Sequence, residues 1–276
     1  MRRPLTQALR WIVFAVAALA LNIPVIVTLV TSFKTAGEVS RNPGLIIEQP
    51  TLANYATVFA MADRFDIIRY GLNSIAAASI GTAIAVILAF PAAYGMTRLG
   101  VGRKWLMPIV VNLRAVPLII FAIPLYMMYQ QLALLDTQLG LGLILAIVNL
   151  PLMLIMFVTA IDALPVEIEE AARLDGAGTW AILRHVVGPI SRATIASTLV
   201  LGFITAWNEF LFGLILTTKS AVPVTVGASF FFAASGGGVQ WGVAAAVMML
   251  STLPPVLIGL FLYRQVGLSL TTGAVK

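Results

Sequence analysis

The side chains able to do chemistry are few and unevenly placed. The chain has 276 residues, of which 60% are hydrophobic and 10% charged, with no cysteine and one histidine. Without cysteine there is no disulfide scaffold, thiolate metal site or thiol nucleophile. The lone histidine, His185, has no clustered partner for a metal site, so neither a cofactor nor a metal is expected on this chain. No G-x-x-x-x-G-K-[ST] loop is present to cradle a nucleotide phosphate. The net charge of +6 forms no basic stripe on a soluble segment, so it does not point to nucleic acid. Two features remain. One is the stretch EIEEAARLDGAGTWAILRHVVGPI, residues 167–190, which gathers Glu167, Glu169, Glu170, Arg173, Asp175, Arg184 and His185. The other is a pair of ionisable residues inside long apolar runs, Arg114 and Glu209. Carboxylates on a surface segment suit bidentate pairing with a partner's arginine. A charge inside an apolar run needs a partner or a water-filled path.

The elements that must position these residues follow from composition. Soluble domains are about half apolar and about a quarter charged, so lipid is the expected solvent for most of this chain. A spanning helix needs ~20 mostly apolar residues. Six segments qualify, at 11–32, 71–96, 105–129, 139–161, 193–216 and 241–263. The first runs on past the cleavage-like Ala18-Leu19-Ala20 to Val30, too long for a signal-peptide core, and reads as a retained helix kinked at Pro24. Placing the N-terminus inside puts eleven of the seventeen Lys and Arg residues in inside segments and five outside, which fixes both termini as cytoplasmic. The predicted organisation is an all-α integral membrane protein of six transmembrane helices. It has a cytoplasmic N-terminus and first helix (1–32), a periplasmic loop (33–70), a five-helix core (71–263) and a cytoplasmic tail (264–276).

Residues 162–192 form the longest inside loop, which accounts for the charges being hydrated. Its fine structure asks for more than a connector. Pro165 suits a first helical turn. Residues 166–175 read as a short helix with acidic residues near its N-terminus, favourable to the helix dipole. Ile168, Ala171 and Ala172 share one face, small and apolar enough for another backbone to approach closely. Asp175-Gly176 is a stop and turn. Thr179 is a candidate N-cap for a second short helix, which Pro189 ends. The expected product is a helical hairpin with a knob at residues 171–176.

That stretch resembles the EAA loop of ABC-importer permeases, whose pattern is E-A-A, three residues, G, nine residues, then I-x-L-P. It stands here as Glu170, Ala171, Ala172, Gly176, Val186 and Pro189, with Gly188 where leucine is usual. The resemblance covers nearly the whole chain and is closest in kind to the carbohydrate-uptake, maltose-type branch of binding-protein-dependent inner-membrane components. Asn73-Ser74, AAYGMTRL (92–99), IPLY (123–126), LLDTQLGL (134–141), NLP (149–151), AWNEFLFGLILT (206–217) and LTTGAVK (270–276) carry it, in order. It implies a type I ABC importer permease fold in the bacterial inner (cytoplasmic) membrane, crossed several times. It implies a non-enzymatic subunit forming half of a sugar pathway and coupled to an ATPase through Glu170, Ala171, Ala172, Asp175, Gly176 and Pro189. The implied partners are a second homologous permease, two ATPase subunits that bind ATP and magnesium, and a periplasmic sugar-binding protein.

For the intramembrane charges two readings stand side by side. Arg114 and Glu209 either pair with each other or face the pathway and meet a polar solute. Asn112, Asn149, Trp207 and Asn208 are candidates to line that pathway, against the alternative that they bond or pack between helices. Pro108, Pro117, Pro124 and Pro151 interrupt backbone hydrogen bonding where protein or a water-filled cavity must cover the gap. The competing functions are a permease of the same kind for another small solute and a secondary carrier. The carrier reading lacks a visible inverted repeat. An intramembrane enzyme lacks cysteine, a metal cluster and paired intramembrane carboxylates.

Overall fold

The computed structural model describes residues 2–61, 65–113, 115–232 and 239–273. Every regular element among them is helical. In chain order the α-helices are α1 (Arg2–Ser32), α2 (Ala36–Arg41), α3 (Ala53–Ala60), α4 (Ile67–Arg98), α5 (Arg103–Leu113), α6 (Ala122–Gln131) and α7 (Gln138–Asp162). They continue with α8 (Glu167–Leu174), α9 (Thr179–Ile182), α10 (Gly188–Ile190), α11 (Arg192–Trp207), α12 (Leu211–Leu216), α13 (Val224–Ser229) and α14 (Trp241–Gly273). Four helices are long and apolar enough to cross a membrane, and the number rises to six if each of two bent helix pairs counts as one span.

The bent pairs are where the structure departs from six straight rods. The expected third span, 105–129, is α5 followed by a 3₁₀ turn (Leu118–Phe121) and α6, with a bend of 96°. Pro117 sits at the break in an extended conformation, φ −61°, ψ 116°. Proline cannot continue the hydrogen-bond ladder, and it pushes its predecessor away from the helical region. The expected fifth span, 193–216, is α11 and α12 separated at residues 208–210, and α11 itself lies 79° from the segment before it. α14 continues to Gly273, ten residues beyond the expected span end at 263, so most of the expected tail 264–276 is helical.

The chain divides into two compact units, residues 1–67 with 227–253 and residues 68–226 with 254–276. In the first, an 18-residue stretch within Leu9–Ser32 of α1 has a mean hydropathy of 2.5 and none of its residues is buried within the chain, as in a helix bathed in lipid. The segment after it folds around buried charges. Lys34 Nζ donates to the carbonyls of Asn42 (2.7 Å) and Gly44 (2.6 Å). The Glu38 carboxylate accepts from the amides of Glu48 (2.7 Å) and Gln49 (3.1 Å). The Glu48 amide, helped by that of Gln49 and by Lys34, holds the Glu38 carboxyl below its ordinary range against desolvation. Asn54 Nδ2 donates to the carbonyls of Ser32 and Lys34. Charge-assisted bonds of this kind fix a loop that has little apolar core of its own.

The second unit is built on close helix approach. A Cβ added at Gly81 of α4 would lie 2.7 Å from Leu145 Cβ and 2.9 Å from the Gly142 carbonyl of α7. Only glycine lets these backbones meet. Gly202 of α11 likewise faces the buried Met153 of α7. Around α4 and α7 packs a core of Ala85, Ala89, Ala93, Leu154, Phe157 and Ile161, with Phe90 edge-on to Phe157 at 5.2 Å. Ile182, Leu183 and Val187, from the loop after α7, complete the same core.

Candidate functional site

The loop between α7 and α11 folds as the expected hairpin, and its first helix is nearly as predicted. α8 covers Glu167–Leu174, with Asp175 at its C-cap and Gly176 at φ +87°, the left-handed value that favours glycine in ending a helix. The second half differs. Thr179 does not cap α9, whose N-cap is Gly178. After one α turn the chain widens into a π-helical turn at Leu183–Val187, and Pro189 then sits at the start of α10 rather than ending the segment. The wide turn shifts the hydrogen-bond register just before Pro189. Its ring and missing N–H are therefore accommodated instead of breaking the helix.

Helix phase decides which side chains α8 offers. Glu167, Ile168, Glu170, Ala171, Leu174 and Asp175 face out, and Leu174 is 90% exposed. Trp180 of α9 is 66% exposed. Ala172 turns inward onto the core. The result is an outer surface where Ile168, Ala171 and Leu174 stand among the carboxylates of Glu167, Glu170 and Asp175. Such a surface suits a protein partner. The structure thus separates the sequence-predicted coupling residues. Glu170, Ala171, Asp175 and Gly176 are on the exposed side, Ala172 is on the inner side, and Pro189 is exposed in α10.

Sequence reasoning missed the residue that fastens the hairpin. Glu169 is 2% exposed. Its Oε1 accepts from Arg98 Nε at 2.7 Å and its Oε2 from the Tyr94 hydroxyl at 2.8 Å, both on the last turns of α4. Arg98 Nη2 then donates to the carbonyls of Ile161 and Leu164, each at 2.9 Å, satisfying the free end of α7. A charge pair removed from water needs further hydrogen bonds to stand, and here the Tyr94 hydroxyl and the Ile161 and Leu164 carbonyls supply them. A second pair, Arg103 to Asp162 (2.9 and 2.6 Å), is bidentate but solvent-exposed. The signal available in the sequence was that Glu169 lies three residues before Ala172 and so shares its inner face.

The candidates within the apolar runs are placed as follows. Glu209 lies in the break between α11 and α12, its carboxylate accepting from the amides of Phe212 (3.0 Å) and Gly213 (3.3 Å) in the first turn of α12. Arg114 lies outside the described residues, so a pairing with Glu209 is not placed. Trp207 is buried and stacked on Phe203 at 5.9 Å, while Asn208 and Asn112 are exposed. Asn149 is buried and its Nδ2 donates to the Gly202 carbonyl at 3.0 Å. Its Oδ1 has no partner among the described residues. An apolar cavity of about 420 Å³ lies beside the bend between α5 and α6, walled by Leu113, Phe121, Ile144, Ile147, Asn149 and Phe212. Among the described residues no cluster of His, Asp and Glu could hold a metal ion.

At the other end of α7 from the hairpin, Asp136 closes a different junction. It adopts φ +55°, and its carboxylate accepts from the amides of Thr218, Lys219, Ser220 and Ala221 at 2.8–3.1 Å. Desolvation would raise this carboxyl. The amides of Ala221, Ser220, Thr218 and Lys219 together outweigh it and hold the group well below the usual carboxylate range. Asn73 Nδ2 donates to the carbonyls of Ser220 and Val222, and Ser74 Oγ accepts from the Val224 amide.

The regular elements among the described residues are thus helical, with several apolar spans and a fastened hairpin between α7 and α11. Residues 81–272 match the family described as "Binding-protein-dependent transport system inner membrane component". The chain is 36% identical over 236 residues to a putative ABC transporter permease protein, ORF1, of Streptomyces antibioticus, covering 84% of this chain and all of that one. It is 31% identical to the trehalose/maltose transport system permease protein MalG of Thermococcus litoralis, covering 98% of each. In fold it is similar to a chain of a bacterial ABC transporter involved in the import of the acidic polysaccharide alginate, with a TM-score of 0.73, 20% identity, and coverage of 96% of this chain and 98% of that one. The chain belongs to the binding-protein-dependent transport system inner membrane components. It is thus a multi-pass inner-membrane permease subunit of an ABC transporter, with ATP hydrolysis in a separate subunit.

Proposed function

We propose that this chain forms half of the translocation pathway of an ATP-driven sugar importer and that the α8–α10 hairpin is its contact with the ATPase. The observation that carries the coupling reading is the outer face of α8. There Glu170 stands among Ile168, Ala171 and the 90%-exposed Leu174, next to a buried anchor on the opposite face. A partner's cleft can take the small apolar knob while an arginine in it pairs with Glu170. The Lys and Arg distribution favours the hairpin being cytoplasmic, where ATP and magnesium bound to two ATPase subunits would act on it. A second homologous permease would complete the pathway, and a periplasmic binding protein would deliver the solute. The sugar reading is supported by the relative named for trehalose and maltose. The apolar cavity with Asn149 in its wall gives no separate indication of the solute.

Glu170→Lys tests the coupling directly. The variant is expected to insert at the normal level, to lose the ATPase subunit on gentle solubilisation, and to abolish ATP-dependent uptake of labelled trehalose or maltose by cells that take them up through this system. Retention of the ATPase subunit with full uptake would refute the docking role.

A further inference from the structure

We propose that Glu169, Arg98 and Tyr94 form the rigid link that carries displacement of the hairpin into α4 and α7. The inference rests on the reading that the hairpin docks the ATPase. Docking alone fixes no direction of force: the rest of the hairpin packs on the α4 and α7 core through the apolar Ile182, Leu183 and Val187, and α8, eight residues long, adds Ala172, Glu169 and the Arg173 side chain, which reaches Tyr94. Apolar contacts such as that of Ala172 can slide, because they have no preferred direction. The Glu169 node cannot slide without breaking charge-assisted bonds that are largely shielded from water. It joins three elements at one point. Glu169 brings α8, Tyr94 and Arg98 bring the end of α4, and the Ile161 and Leu164 carbonyls bring the end of α7. Glu170 and Ala171, on the docking face, are the next two residues of the same helix. A push on that face therefore reaches α4 and α7 with a fixed direction through Glu169, beside the non-directional packing of Ile182, Leu183 and Val187. Arg98 is matched to the task as lysine would not be. Its Nε serves the carboxylate while Nη2 spans two carbonyls. Glu169, Arg98 and Tyr94 are positioning residues, since none is offered to the partner's surface.

The absence of cysteine from the chain allows a direct test. Leu99→Cys, just beyond α4, and Glu167→Cys, on the exposed first turn of α8, are spin-labelled in the complete complex with cysteine-free partner subunits. Their separation is then read without nucleotide and with ATP and vanadate. The unmodified link should give one narrow distance in both states. E169Q and R98K should still purify with the ATPase subunit and hydrolyse ATP. The narrow distance should be lost, and the separation should shift when ATP and vanadate are added. Y94F, which removes one hydroxyl and no charge, should broaden it less, and it carries the test with R98K if E169Q does not insert. A narrow, nucleotide-independent distance in these variants would overturn the link. So would loss of the ATPase subunit from them, which would assign the node to docking itself. A purely structural role would lower the yield of complex and leave the distance unchanged in what survives, which also overturns it. If even the unmodified chain fails to retain the ATPase subunit, the docking reading falls instead.

Discussion

Asp136 makes the sharpest quantitative demand of the structure. Its carboxylate gathers four successive amides, 218–221, and the backbone of Asp136 donates to the Leu216 carbonyl at 2.8 Å. A hydrogen bond to a charged group contributes about 1.5–3 kcal/mol, but not four times over here. Thr218, Lys219 and Ser220 are exposed and can turn their amides to water, whereas Ala221 is buried. Counting the Ala221 bond in full and the others at a fraction gives roughly 2–3 kcal/mol for removing the carboxylate. At 1.36 kcal/mol per decade this predicts about 30- to 150-fold faster amide exchange across residues 219–224 in Asp136→Gly. Asp136→Ala should be worse by about 1 kcal/mol, because the position has φ +55° and alanine resists that conformation. Asp136→Asn, which keeps a carbonyl acceptor and tolerates a left-handed backbone, should be mildest.

The assay is hydrogen exchange by mass spectrometry on the complex in nanodiscs, following peptides that cover 216–226. The expected order of protection is wild type, Asn, Gly, Ala. The carboxyl is depressed in the folded state, so its contribution is complete above the unfolded value of about 3.9 and is lost only as pH falls through the lower folded value. Protection corrected for intrinsic exchange should therefore be flat between pH 5 and pH 8. Unchanged protection in Asp136→Ala would refute the reasoning. It would mean that Asn73, through Ser220 and Val222, and Ser74, through Val224, hold the segment without help.

Two further outcomes follow from packing and from exposure. Gly81→Ala should lower thermal stability in detergent by about 1–3 kcal/mol, since the new methyl meets the Gly142 carbonyl at 2.9 Å and backbone cannot step aside as a side-chain tip can; an unchanged melting point would show that α4 and α7 part freely. Arg103→Ala should cost no more than about 1 kcal/mol, because its bidentate pair with Asp162 is 47% and 35% exposed, and the cost should shrink further in about 1 M salt; a salt-independent loss would mean the pair is shielded in the complex.

What the sequence made legible was governed by local rules. The length of α8, the stop at Asp175 and the turn at Gly176 follow from helix-end chemistry within a ten-residue window, and the structure has them in place. The apolar runs marked the spans because a bilayer imposes a minimum length. The breaks were harder. Four prolines were visible, yet Pro108 and Pro151 lie inside α5 and α7, whereas Pro117 marks the bend between α5 and α6. Whether a proline kinks a helix or ends it depends on what neighbouring elements supply to the freed backbone groups, and that is tertiary information. The π turn before Pro189 is the same lesson in a short helix.

The two carboxylates Glu169 and Glu170 put the limit most sharply. As letters they are equal, and the motif drew attention to Glu170. One residue is a rotation of about 100° on a helix, enough to put Glu170 in solvent and Glu169 beside Arg98, 71 residues earlier in the chain. The phase is fixed by Ala172, which must turn onto the core, and by the length of the Leu164–Val166 connection after α7. The same geometry divides the labour. An exposed carboxylate is free to choose a partner and contributes specificity. A buried one is committed to its own chain, and removing its partner would leave a stranded charge at a cost of about 3–5 kcal/mol. The proposed coupling role uses both, on adjacent residues about 100° apart: one side chain that can bind and release, and one held by its own chain. On the proposed reading, a helix of only two turns holds them close enough that force on the first would be borne by the second.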